Sequence, residues 1–90
     1  MKSTVPRQMY LMIFERDSYT CVLCQREAQD VHHVKSRAAG GRNTLDNLVS
    51  LCRIHHDLVH GVRWQGVEHT VAEGKQAVLE YIEDLYAGML

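Results

Sequence analysis

Two short stretches gather side chains able to hold a metal or move a proton. "CVLC" sets Cys21 and Cys24 around two intervening residues, and "LCRIHHDLVH" repeats that spacing with Cys52 and His55 before adding His56 and His60. Between them, "DVHHV" places His32 next to His33. Two thiolates on a knuckle, with a thiolate and an imidazole at a strand-to-helix junction, form the donor set of a closed tetrahedral zinc site. The plainer reading is three buried thiols and an incidental histidine, and two ligand pairs at matched spacing argue against it. Such a site would cross-link the N-terminal third to the centre. In a chain of 90 residues it would supply much of the folding free energy.

The other histidines are not needed for that zinc. On an α-helix each residue turns by about 100°, so His55 and His56 face different ways, while His56 and His60, four apart, share a face. Alone, that pair reads equally well as a polar helix face with His60 capping the C-terminus. His32 and His33 alter the balance, because neighbours on a strand point to opposite sides. One of them would join His56 and His60 as a third ligand and the other would stay unliganded. A neutral imidazole near a metal-held phosphate suits proton transfer from water, its ordinary pKa being about 6.5. This is the layout for metal-assisted phosphodiester hydrolysis, and three histidines leave coordination positions open for it. Asn47, in "LDN", is either a turn residue or a brace whose side-chain amide bonds the loop backbone and so orients His33.

Positioning these groups requires a small set of elements. Residues 6–17 read as a helix with Pro6 in its first turn and Met9, Met12 and Ile13 on one stripe. Residues 30–34 and 48–52 read as short strands, and 35–47, rich in Gly, Ser and Asn, as a loop. Residues 53–60 read as a short helix ending near Gly61, and 61–69 as irregular. Thr70 and Glu73 match a capping box, followed by a helix with Val78, Ile82, Leu85 and Met89 on one stripe and Gly88 as its stop. Gly74 blurs where that helix begins.

The bulk properties narrow the class. Composition is that of a folded protein, with 46% hydrophobic and 23% charged residues. No run of about 18 apolar residues is present, and the N-terminal stretch lacks the pattern of a signal peptide. Three cysteines, an odd number, argue against a disulfide framework and for cytosolic metal binding. The net charge of −1 lacks the basic excess usual in nucleic-acid binders, yet the charge is uneven. Residues 31–63 hold Lys35, Arg37, Arg42, Arg53 and Arg63 against Asp46 and Asp57. Residues 64–90 hold Lys75 against Glu68, Glu73, Glu80, Glu83 and Asp84.

Together these residues resemble the HNH endonuclease family, the ββα-metal nucleases. "DVHHV" is similar to the family's adjacent histidines, "GGRNTLDNLVSLC" to its glycine loop and Asn-Leu step, and "HHDLVH" to its helix histidines. "FERDSYTCVLC" resembles the zinc-knuckle lead-in of members with a structural zinc. The resemblance spans about residues 7–61. It implies an α+β fold: a small, zinc-stabilised, treble-clef-like ββα-metal core with flanking N- and C-terminal helices, one nuclease domain over residues 1–90, with 62–90 as a helical extension. It implies His32, His56 and His60 as ligands of a catalytic divalent metal, His33 as general base, Asn47 as the middle asparagine, and Cys21, Cys24, Cys52 and His55 around structural zinc. Two departures stand out. His55 occupies the place of a fourth cysteine, which makes zinc affinity more pH-dependent. His32 stands where many relatives have aspartate, which admits zinc, nickel or manganese more readily beside magnesium.

The resemblance further implies a DNA substrate, held through phosphates by Lys35, Arg37, Arg42, Arg53 and Arg63. One active site per chain would nick one strand, and double-strand cleavage would need two copies or two visits. A bacterial or phage-infected cytoplasm, a monomer or weak homodimer, and packaging or restriction proteins as partners are the implied setting. The competing reading is a non-catalytic zinc module that binds nucleic acid or protein. It accounts for the Cys–His set and not for His33, His56 and His60 beside it. A third reading makes residues 70–89 a dimerisation helix. His69 reads as a surface residue.

Overall fold

The computed structural model describes residues 5–87. Its elements run α1 (Arg7–Arg16), β1 (Asp30–His33), β2 (Leu48–Leu51), α2 (Arg53–Val59) and α3 (Val71–Tyr86). The strands form an antiparallel pair with Val31 opposite Ser50 and His33 opposite Leu48. This is a small α+β fold around a two-stranded sheet.

β2 explains the layering. All four residues of "LVSL" are buried, as expected for a strand covered on both faces. Alternation sends Leu48 and Ser50 toward α1, where Leu48 packs with Val5, Ile13 and Val31. Val49 and Leu51 face the other way and pack with Val59, Val78 and Ile82 of α2 and α3, beside Cys21 and Cys52. The buried Ser50 is satisfied: its hydroxyl donates to the Ile13 carbonyl and its N–H to Asp17 Oδ2 at 2.9 Å. Asp17 also accepts from Arg16 at 2.8 and 2.9 Å and from the Tyr81 hydroxyl, and Arg16 reaches the carbonyls of Leu45 and Leu48 and Tyr86 Oη. This polar knot ties α1, β2 and α3 together.

Residues 20–27 form the knuckle. Thr20 bridges Glu27, Cys21 N–H donates to the Arg26 carbonyl, and Gln25 turns the chain in a left-handed conformation. Val22 N–H and Gln29 N–H bond the carbonyls of Ser50 and Leu51, so the knuckle docks beside the end of β2.

The loop over 35–47 contains two single-turn 3-10 segments, Arg37–Ala39 and Leu45–Asn47. Gly41 is required there, since a Cβ at that position would lie 1.7 Å from the Lys35 carbonyl oxygen. α2 stops at Val59, one residue before the expected end, with His60 as its C-cap.

α3 begins at the expected capping box, in which Thr70 and Glu73 exchange bonds at 2.8 and 3.1 Å. Its buried stripe is Gly74, Val78 and Ile82, four apart each time. Leu85, expected on that stripe, keeps its angle but is 42% exposed, lying in the last turn of the helix beyond Ile82, the last buried residue of α3. Met12 is 48% exposed because it lies about 100° round the helix from Ile13, the buried residue of α1. Gly74 is a packing position: a Cβ there would come 2.9 Å from Leu58 Cδ2, so its absence lets α3 lie close on α2. The expected roles of Met89 and Gly88 lie outside the described residues. No described helix is long and apolar enough to cross a membrane.

Candidate metal centre

Cys21 and Cys24 come from the knuckle, Cys52 caps the N-terminus of α2, and His55 lies in its first turn. Their ligand atoms lie within 4.8 Å of one another. Cys24 Sγ is 3.8 Å from Cys52 Sγ, and His55 Nδ1 is 3.4 and 3.9 Å from Cys52 and Cys21 Sγ. Zinc–thiolate bonds of about 2.3 Å and zinc–imidazole bonds of about 2.0–2.1 Å give tetrahedral edges of roughly 3.8 Å between sulfurs and roughly 3.6 Å from sulfur to nitrogen. The Cys3His group fits zinc on those distances. Backbone N–H groups of Leu23 and His55 point at Cys21 and Cys52 Sγ. Burial pushes the Cys21 thiol up to about 11, so a bound cation has to displace its proton. Burial, then the neighbouring His69 and Arg26, pushes His55 below its ordinary value and keeps it neutral. His69 is exposed, with its ring 6.2 Å from that of His55.

A second group forms on the other side of α2. His32, His56 and His60 bring their ring nitrogens within 4.8 Å, and His56 Nε2 and His60 Nε2 stand 3.2 Å apart. Two imidazoles on one tetrahedral metal at about 2.0–2.1 Å would be separated by roughly 3.3 Å. The helix turn splits the adjacent His55 and His56 between the two groups. The sheet's alternation does the same for His32 and His33, sending His32 toward α2. Burial, then the nearby His56 and His60, pushes His32 down to about 3, and burial together with His56 also lowers His60. Both are thus held in the neutral, lone-pair form that a metal ligand needs.

Asp30 was not singled out in the sequence. It lies two residues before His32 on the same face of β1, and its carboxylate accepts from His56 Nδ1–H at 3.1 Å. That bond holds a proton on Nδ1 and turns Nε2 to the cluster, as carboxylates do for metal-bound histidines. Burial alone would raise the Asp30 pKa, but bonds from Arg53 and His56 hold it below the usual carboxylate range.

His33 stays out of the triad. Its Nε2 lies 2.8 Å from Asn43 Oδ1, so Nε2–H donates and Nδ1 keeps the lone pair. Asn47 does not touch His33. Its amide donates to the Lys35 and Arg42 carbonyls at 3.1 and 2.9 Å and its oxygen accepts from Lys35 N–H at 2.7 Å. It clasps the two ends of the loop that carries Asn43. Asn43 was the other residue missed, since an Asn in a polar loop has no periodicity to mark it.

His32, His33 and His60 line one cleft of about 830 Å³, bounded by the loop at Lys35, Ser36 and Ala39 and by α3. Lys35, Arg37 and Arg42 are exposed. Arg53 is bound to Asp30 through Nε at 2.7 Å, and Arg63 folds back on the carbonyls of Val67, Glu68 and His69.

Residues 21–61 match the HNH endonuclease family. The HNH match takes in the knuckle, both strands, the loop and α2, slightly less than half of the chain, and with them every member of the two clusters. It implies a nuclease-type function, metal binding and a nucleic-acid substrate. α1 and α3 lie outside the HNH segment. The comparison with curated proteins finds no match for the chain.

Proposed function

We propose that this protein is a metal-dependent endonuclease that hydrolyses DNA phosphodiester bonds. The observation that carries the reading is the convergence of three imidazoles, His32, His56 and His60, beside a cleft that His32 and His60 line together with a fourth histidine, His33, that is oriented separately. A zinc module that only binds has no use for that second group. The Cys3His cluster has the structural role, holding the knuckle to α2.

His33 acts as general base. Asn43 holds Nε2–H, which turns proton acceptance over to Nδ1, and a neutral imidazole there can take a proton from the attacking water. His32, His56 and His60 would hold a divalent ion, magnesium, manganese, nickel or zinc, which supplies charge stabilisation for the phosphate and the departing 3′ oxygen. Asp30 keeps His56 in register, and Asn47 keeps the loop closed around Asn43. Lys35, Arg37 and Arg42 contact phosphates directly, while Arg53 and Arg63, engaged within the chain, contribute mainly to the local positive potential. We place the activity in a bacterial or phage-infected cytoplasm, on a monomer or weak homodimer, with packaging or restriction proteins as partners.

The test is supercoiled plasmid incubated with the zinc-loaded protein and each divalent metal, beside a His33→Ala variant. Conversion to open-circle or linear DNA by the parent alone is expected. Cleavage by His33→Ala at the parent rate would remove the base assignment, and no cleavage with any metal would favour the binding module.

A further inference from the structure

α3 lies beyond the HNH segment, yet it builds one wall of the cleft: Ala72, Lys75, Gln76 and Leu79 line it opposite the histidines. Their spacing of three, four and seven residues makes one helical stripe, next to the buried Gly74, Val78 and Ile82. Three of the four acidic residues of this helix are placed elsewhere. Glu73, Glu80 and Asp84 fall on a stripe roughly 100° round the axis. Glu83 comes one turn beyond Leu79, outside the lining. The cleft lining contains no acidic side chain, and its permanent cations are Lys35 from the end of β1 and Lys75 from α3. Lys75 is exposed and forms no ion pair with any described residue. A lysine in the acid-free lining of the cleft, facing the histidines, is placed for an anion.

We propose that Lys75 grips a phosphate of the DNA backbone in this cleft, making α3 part of the substrate-binding surface. This rests on the nuclease reading. One lysine–phosphate contact contributes about 0.9 to the slope of log affinity against log salt, which amounts to roughly fivefold in affinity near 0.15 M salt.

The experiment is a salt series of binding to a short fluorescent DNA duplex, using the zinc-loaded full chain with no second metal added. Lys75→Ala, Lys75→Glu and Lys75→Arg are compared with the parent. The expected result is weaker binding by Lys75→Ala with the slope reduced by about 0.9, a larger loss for Lys75→Glu, and retention by Lys75→Arg. Because residue 75 is exposed on a helix, circular dichroism should show all three folded. Parent binding with an unchanged slope for Lys75→Ala overturns the Lys75 assignment alone. Absence of DNA binding by the parent overturns both this assignment and the nuclease reading.

Discussion

The Tyr81 hydroxyl donates to Asp17 Oδ1 at 2.6 Å, joining α3 to the end of α1 across most of the chain. Burial alone would raise the Asp17 pKa, but bonds from Arg16, Tyr81 and the Ser50 N–H hold it below the usual carboxylate range. Burial and the Asp17 bond push Tyr81 up to about 12. The two shifts act at opposite ends of the pH scale. A depressed carboxyl stabilises the fold above its unfolded pKa of about 3.9, and that contribution is lost as pH falls through and below that value. A raised tyrosine stabilises it fully below about 10, and that contribution is lost as pH rises from there toward 12. Asp17→Ala should cost about 3 kcal/mol by leaving Arg16 and the Ser50 N–H without their partner. Tyr81→Phe should cost about 1–2 kcal/mol and flatten the alkaline arm. Urea denaturation across pH reads both.

Removing the metal from the Cys3His group should unfold the knuckle and α2. An excess of chelator is expected to lower the melting temperature and the helical circular dichroism signal, and stoichiometric zinc should restore them. The Cys21 thiol, near 11 without metal, must lose its proton to bind, so zinc affinity should fall as pH falls. Competition with a chromophoric chelator at several pH values measures this. A pH-independent affinity would exclude thiolate ligation.

Asp30 should matter for one cluster and not the other. Asp30→Ala frees the His56 ring and is expected to weaken divalent-metal binding at the three-histidine group by roughly 10–100-fold. The Cys3His group should still hold one zinc per chain. Cobalt titration separates the two, because thiolate ligation gives an intense charge-transfer band that an all-imidazole site lacks.

The two asparagines of the loop should fail differently. Asn43→Ala removes the partner of His33 Nε2, so plasmid cleavage should drop and its pH profile move. Asn47→Ala removes three bonds that close the loop on Lys35 and Arg42, so it should cost about 1–3 kcal/mol in stability as well as activity.

Roles that depend on periodicity or on paired spacing were legible in the sequence. The spacing of Cys21, Cys24, Cys52 and His55 reports a cluster that the fold does assemble, and the helix turn separates His55 from His56 as expected. The Thr70–Glu73 box marks the start of α3 to the residue. Asp30, Asn43 and Asp17 were not readable, because each acts through a partner 10 to 64 positions away and only the folded register brings the pair together. Gly74 misled for a related reason. Its helix propensity is poor, and the gain that offsets this is a contact with Leu58 on another element. Arg53 and Arg63 looked like free surface cations, but Asp30 and a ring of carbonyls engage them.

α2 is only seven residues long, too short to persist unaided, and the two clusters share it. Its first turn is fixed by Cys52 and His55, and His56 and His60 inherit their positions from that anchorage. One short helix therefore sets the geometry of both clusters, and a shift of its axis would be felt at the cysteine group and the histidine group together.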